Sequence, residues 1–322
     1  MNDFSAFRPP PPLTVSEWAD TYRYLSSEAS AEPGKWRTSR AEYQRAMMDA
    51  VKTHERTVIM TSSQIGKTEL ILNTLGYFIH YEPCPILIIQ PTKEMGEDFS
   101  KNKLSPMLRD TPIFSRLIDL KARTKDNNIL YKHFANSAIL SIAGANSPAG
   151  LAARSIRVLL CDEIDRYPPS AAKEGDPLSL AIQRTATFWN RRIVLVSTPT
   201  VKGHSRIEEA FNLTDRREWC VPCPSCGGLQ PYNWANFLYR DRTQPVMKCE
   251  YCGTEHTESE WKAGKGEWIP QAESDTCGQV EAATDLIAGT PLETFRPQHK
   301  DETSLNATAE KHESIGQSAA KP

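Results

Sequence analysis

Between residues 39 and 199 the apolar positions follow two rhythms. Short continuous runs, "TVIM" at 57–60, "PILIIQ" at 85–90, "AILSIA" at 138–143, "IRVLLCD" at 156–162 and "RIVLVSTP" at 192–199, have no polar alternation. Runs of that kind read as strands covered on both faces, as in a parallel sheet. Helical spacing falls at 41–51 and 67–81, and strands alternating with helices predict an α/β fold around a mostly parallel central sheet.

The flanks are patterned differently. Residues 1–38 open on "MNDFSAFRPPPPLTVSEW", a polyproline entry and a polar stretch, read as an arm lying on the surface or on a partner. The alternating strand–helix pattern occupies 39–215. Residues 216–269 are rich in cysteine, tryptophan and turn formers, which predicts a small separate β module. Residues 270–322 are polar and poor in aromatics, the expectation for a disordered or aberrant tail.

A chain of 322 residues can bury a sizeable core, and its formal charge of -2 rules out a uniformly basic nucleic-acid coat without excluding a local one. No apolar run approaches the roughly 20 residues of a membrane span, and the N-terminus lacks a secretory pattern, so the reading is cytoplasmic with no membrane. Four of the eight cysteines fall in two C-x-x-C pairs, which in a reducing compartment suggest metal before disulfides. Cys84 and Cys161 read as core residues and Cys277 as a stray thiol.

Candidate chemistry begins at "TSSQIGKT", 61–68, between a strand and a helix. In a loop of the form G-x-x-x-x-G-K-[ST], backbone N–H groups and the helix N-terminus surround phosphates, the lysine reaches β/γ oxygens and the hydroxyl ligates Mg²⁺. Ser62, Ser63, Gln64, Ile65 and Gly66 would form the ATP cradle, with Lys67 and Thr68 in the last two roles. Thr61 stands where the first glycine belongs, and a bare Gly-Lys-Thr also suits an ordinary helix start.

The second motif is "VLLCDEID", an apolar strand ending in two carboxylates: Asp162 for the Mg²⁺ shell and Glu163 to orient or deprotonate water. Alone, such acids also suit a helix cap. Asp165 reads as surface or cap. A third strand, "VLVSTPT", ends in Ser197 and Thr198, small hydroxyls that beside the acidic pair could sense the γ-phosphate and that alone also suit an ordinary Ser/Thr/Pro strand exit.

"SSQIGKTE", "LLCDEIDRYP" and "LVSTPT", in that order and followed by a double C-x-x-C, resemble the large terminase subunit of tailed bacteriophages, lambda-like GpA type, over roughly Phe7 to Ile269. The resemblance implies an ATPase that threads duplex DNA into a capsid from the host cytoplasm, with a small terminase subunit, a portal or procapsid and other copies of itself as partners. It implies Walker A at Thr61–Thr68, tolerant of a deviant first position, Walker B at Val158–Glu163 and a coupling motif at Ser197–Pro199. Gln44, with Tyr43, resembles the adenine-side glutamine, against an exposed helix glutamine as the plainer alternative. Arg154, with Arg157 as runner-up, resembles the arginine that reaches a neighbouring subunit's nucleotide.

Cys223-x-x-Cys226 and Cys249-x-x-Cys252 are two knuckles that can present four thiolates to one structural Zn²⁺, as in a zinc ribbon. Cys220 and His256 could compete as ligands. The aromatic residues among them, Trp219, Tyr232, Trp234, Phe237, Tyr239 and Tyr251, could stack bases but read rather as the module's small core.

The family's C-terminal nuclease needs strand-borne acids, and the tail acids Asp275, Asp285 and Asp301 lie in polar surroundings without apolar strands, so a truncated product without nuclease activity is expected. Two other readings share these observations: a helicase-like ATPase outside packaging, and a non-catalytic remnant binding DNA or a partner through the zinc module.

Overall fold

The computed structural model describes residues 12–28, 30–120, 127–152, 154–238 and 245–281. The chain enters through helix α1 (Val15–Tyr22), closed by a capping box in which the Thr14 hydroxyl accepts from the Glu17 N–H and Glu17 accepts from the Thr14 N–H at 2.8 Å. Trp18 of α1 is fully buried, and its Nε1 donates to His80 Nδ1 at 3.1 Å. Residues 15–22 therefore belong to the core, where the polar sequence suggested a surface arm; residues 1–11 of that arm lie outside the described residues. A hairpin, β1 (Tyr24–Leu25) with β2 (Gly34–Lys35), closes this entry.

Helix α2 (Tyr43–Thr53) leads into β3 (Arg56–Thr61), then α3 (Lys67–His80) and β4 (Pro85–Gln90). Gly76 lets α3 approach α1: a Cβ there would meet the Trp18 ring at 2.1 Å. Helices α4 (Lys93–Phe99) and α5 (Ser105–Asp110) precede β5 (Tyr131–His133), β6 (Ile139–Gly144), α6 (Pro148–Ala152), β7 (Val158–Asp162), α7 (Pro177–Gln183), β8 (Arg192–Ser197) and α8 (Arg206–Asn212). The five strands expected from continuous apolar runs are present: β4 has the expected bounds, β3 is longer by one residue at each end, β6 is shifted by one, and β7 and β8 are each shorter by two at one end.

The remaining elements are β9 (Arg217–Pro222), β10 (Leu229–Pro231), β11 (Phe237–Leu238), β12 (Val246–Lys248), β13 (Glu255–Thr257), α9 (Glu258–Lys262), β14 (Glu267–Ile269) and β15 (Cys277–Glu281). Strand order in the large sheet is β10-β9-β15-β3-β8-β7-β4-β6-β5, with β14 also on β9. All pairings from β9 through β15 to β6 are parallel; β5, β10 and β14 run antiparallel.

Two expectations change here. The boundary expected near Asp215 is crossed by sheet pairing, since β9, β10 and β14 extend the large sheet and only β11-β12-β13 form a sheet of their own. Residues 277–281, expected in a structureless tail, form β15 beside β3. The reason is local: Asp215 gathers this segment, accepting the Gly278 N–H at 2.8 Å on its side chain and the Gln271 and Ala272 N–H groups on its carbonyl. Residues 282–322, with Asp285 and Asp301, lie outside the described residues.

Apolar layers cover both faces. One packs α1, α2 and α3 on Ile59, Ile86, Leu160 and Val194; the other packs α6, α7 and α8 on Val58, Leu87, Leu159 and Leu195. Covering both faces leaves the strand ends as the place for polar chemistry.

Candidate functional site

Strand β8 lies between β3 and β7 and is parallel to both, pairing Met60 with Ser197 and Val196 with Asp162. At about 4.8 Å per strand, the C-terminal end of β7 stands about 10 Å from that of β3, with the Ser197 end between them. Three motifs distant in sequence thus share one edge.

Thr61 is still strand, paired with Glu281 of β15, and its backbone is not in the left-handed region. The loop's left-handed positions are Gln64 (φ 63°) and Gly66 (φ 86°). A glycine is therefore not required at 61, because the turn is made further along. Ser63 and Gln64 are exposed at the crest, and Ile65 is buried. The Ile65 carbonyl accepts from Gln44 Nε2 at 2.7 Å and Tyr43 Oη at 3.0 Å, fixing the loop to α2.

Lys67, the first residue of α3, turns inward. Its Nζ donates to the Ser62 carbonyl at 3.1 Å, contacts the Thr198 hydroxyl and lies 3.5 Å from Glu163 Oε1. Thr68 follows on the same helical turn, half-buried.

Asp162 ends β7, and Gln90 Nε2, ending β4, donates to its Oδ2 at 2.9 Å. Burial pushes the Asp162 carboxyl up to about 6, against the Gln90 hydrogen bond that lowers it. A buried carboxylate held, among the described residues, only by the Gln90 amide and the Glu163 N–H gains from a nearby cation. Glu163 has left-handed backbone (φ 53°, ψ 49°), which costs a non-glycine residue roughly 1–3 kcal/mol and turns its carboxylate toward Lys67.

Asp165 does more than cap a turn. Its Oδ2 accepts from the Thr200 N–H at 2.9 Å and hydroxyl at 3.0 Å, and its Oδ1 accepts from Ile207 N–H at 2.8 Å, at the start of α8. The Asp165 N–H in turn donates to Ser197 Oγ at 3.3 Å. The acidic turn and the Ser-Thr-Pro loop are therefore tied at several points. Gln90 and Asp165 were not singled out from sequence for these roles; the only available signal for Gln90 was a polar residue closing an apolar strand.

Other candidates fall differently. Gln44 is buried against the loop, with Nε2 2.5 Å from where a Gly66 Cβ would sit, so its amide supports the cradle's backbone and the exposed-glutamine alternative is excluded. Arg157 lies just before β7, at the strand end opposite Asp162, and is ion-paired at 2.8 Å to Glu82, just past α3; it ties the start of the strand to the turn after the helix. Arg154 is exposed, its guanidinium 4.4 Å from the Tyr131 ring centre beside a cavity of about 480 Å³, and is not brought to Lys67 within the chain.

The four knuckle cysteines converge, their sulfurs all within 4.8 Å of one another. Cys223 and Cys252 Sγ are 3.8 Å apart, Cys226 and Cys249 Sγ 3.7 Å. A tetrahedron with arms of about 2.3 Å has edges of about 3.8 Å, so the spacing fits one Zn²⁺. Each knuckle turns through a left-handed glycine, Gly227 and Gly253, both at φ 73°, whose N–H returns to the carbonyl of the first cysteine. The Thr254 hydroxyl holds the Cys252 thiol down, toward the thiolate a metal needs, whereas Cys226, against the lowering Gly228 N–H, is pushed up by desolvation and by the other sulfurs that share protons with it. Cys220, pushed up to about 11 by burial in β9, and His256, bonded to Ser225 Oγ at 3.0 Å, stand outside the cluster. Trp261, not counted in the expected module core, is fully buried there; Tyr251 is exposed, and Tyr239 lies outside the described residues.

A parallel sheet with Gly-Lys-Thr at the end of one strand, paired acids two strands away and a hydroxyl strand between them defines a P-loop nucleotide-binding protein. Residues 30–268 match the family "phage terminase large subunit gpA, ATPase domain", and the chain belongs to that family. The large terminase subunit of Enterobacteria phage P21 is 31% identical over 273 residues, covering 81% of this chain and 42% of that protein. That of Escherichia phage lambda is 31% identical over 231 residues, covering 70% and 35%. This chain thus spans about two-fifths of the length of these relatives. The crystal structure of the HK97 bacteriophage large terminase shares the fold, with a TM-score of 0.50 at 12% identity over 62% of this chain and 41% of that one. Among the described residues no helix is long and apolar enough to cross a membrane.

Proposed function

We propose that this chain binds and hydrolyses MgATP and couples hydrolysis to movement along duplex DNA during phage packaging. The observation that carries the reading is the convergence of Ser62, Lys67, Glu163 and Thr198 on one point at the sheet edge.

In this reading the N–H groups of the loop and the N-terminus of α3 face the β- and γ-phosphates, and Lys67 exchanges Glu163 for phosphate oxygens. Thr68 and Asp162 would hold Mg²⁺, which neutralises charge across those phosphates when bound. Glu163, released from Lys67, orients a water and accepts its proton as the water oxygen attacks the γ-phosphorus. The bond to the β–γ bridging oxygen breaks, leaving ADP and phosphate. Thr198 lies against Lys67 and Ser197 against Asp165, so departure of the γ-phosphate changes contacts that reach α8 through Asp165.

Arg154, exposed and away from its own chain's Lys67, suits a role on a neighbouring copy's nucleotide. The four cysteines would hold a structural Zn²⁺ that fixes the segment from β9 to α9 by charge and geometry. Duplex DNA, the small subunit, the portal and self-association as partners rest on family membership. The formed cradle speaks against a dead remnant, because its first-position threonine leaves the turn intact. Mg²⁺-dependent ATP turnover by the purified chain, abolished by Lys67→Ala, tests the reading; no turnover and no ATP binding by folded protein would refute it.

A further inference from the structure

At the root of the phosphate loop, several fully or almost fully buried hydrogen-bonding atoms meet no partner among the described residues: Gln44 Oε1, Thr61 Oγ1, and both Nε2 and Oε1 of Gln279. Gln279 has no exposed surface, Thr61 has 1% and Gln44 4%. Unpaired buried polar atoms are costly, and an amide unpaired at both ends is doubly so.

These atoms share one layer. Register pairs Cys277 with Thr57, Gln279 with Ile59 and Glu281 with Thr61. Alternation then puts Gln279, Ile59 and Thr61 on one face, the face whose apolar layer contains Tyr43 and Met47 of α2. Gln279 and Thr61 are diagonal neighbours on adjacent strands, about 8 Å apart at Cα and within reach of a glutamine side chain. Gln44 is on the α2 turn that holds the Ile65 carbonyl, just past Thr61.

Donor and acceptor types match along that path. The Gln279 amide N–H can donate to the Thr61 hydroxyl, which can donate to Gln44 Oε1, while Gln44 Nε2 already donates to Ile65. We propose that Gln279 is a positioning residue for the phosphate loop, its amide joining Thr61 and Gln44 in one hydrogen-bonded chain when nucleotide fills the cradle. The proposal rests on the ATP-binding reading. On this account β15 braces Thr61 from the neighbouring strand, and a threonine therefore serves where the loop pattern expects glycine.

The test is MgATP affinity by isothermal titration calorimetry, with thermal melting, for wild type, Gln279→Leu, Thr61→Val, their double variant and Thr57→Val. Thr57 carries an unpaired hydroxyl too and is Gln279's other diagonal neighbour on the same face, but it stands at the far end of β3 from the loop. The expected result is about tenfold weaker binding for Gln279→Leu and for Thr61→Val, no further loss in the double variant, little loss in Thr57→Val, and a melting temperature for Gln279→Leu at or above wild type. Unchanged affinity in Gln279→Leu, additive losses, or an equal loss in Thr57→Val would overturn the proposal. If Gln279→Leu fails to fold, Gln279→Met, of similar length, takes its place in the cycle. Wild type that binds no MgATP would refute the nucleotide reading itself, a separate outcome.

Discussion

Lys67 and Glu163 face one another across 3.5 Å, Nζ to Oε1, with the Thr198 hydroxyl against the same Nζ. The cation suited to phosphate oxygens is held by the carboxylate suited to water. On the proposed reading, nucleotide binding exchanges these partners, so that occupation of the cradle and release of Glu163 would be one event. The left-handed backbone of Glu163 keeps its carboxylate at this crossing.

Asp162 trades stability for charge. Its folded carboxyl is pushed up to about 6 by burial, above the ordinary carboxylate value, so the folded state binds the proton more tightly than the unfolded chain. The charged form therefore destabilises the metal-free protein above pH 6, by up to about 3 kcal/mol at roughly 1.4 kcal/mol per pH unit. That penalty fades as pH falls through 6 toward 4. Asp162→Asn should melt higher than wild type at pH 7.5 without Mg²⁺, the gain should shrink toward pH 4.5, and MgATP hydrolysis should be lost. Melting curves at the two pH values check this.

The cysteine cluster predicts one zinc per chain by atomic absorption. Cys249→Ser should abolish it and lower the melting temperature by roughly 5–10 °C, at 2–4 °C per kcal/mol for a chain of this class. Because β9, β10 and β14 belong to the large sheet, the loss should spread beyond the knuckles, and chelation of wild type should reproduce it.

β15 predicts an effect of a single methyl group. A Cβ at Gly278 would fall 1.8 Å from Thr214 Oγ1 and 2.6 Å from Thr214 Cβ. Gly278→Ala should destabilise by about 1–3 kcal/mol, the usual cost of overpacking, read by denaturant titration. Wild-type stability in that variant would mean that residues 277–281 do not insert beside β3.

The parts legible in the sequence are those whose chemistry sits in contiguous runs. An apolar strand followed by Gly66-Lys67-Thr68, or ending in Asp162-Glu163, carries its own context, and the knuckle spacing carries the cysteine cluster. What was not legible depends on partners far along the chain. Trp18 is buried because α3 has Gly76 opposite it, and nothing in its polar neighbourhood announces this. "CGQVE" has no periodicity to mark it as a strand; Asp215 and the open side of β3 make it one. Gln44 suggested the adenine edge, and only the fold shows its amide against the Ile65 carbonyl.

Glu163→Gln gives the most direct test of a live ATPase centre. Magnesium-dependent ATP hydrolysis and ATP affinity should be measured together for wild type and Glu163→Gln, zinc-loaded, with and without duplex DNA. The account predicts wild-type turnover stimulated by duplex, and in the variant a loss of about 100-fold or more, the range typical of a general base, with ATP bound at least as tightly because Lys67 is no longer paired to a carboxylate. A variant that hydrolyses ATP as fast as wild type, or a wild type that binds ATP and never turns it over with or without duplex, would contradict it.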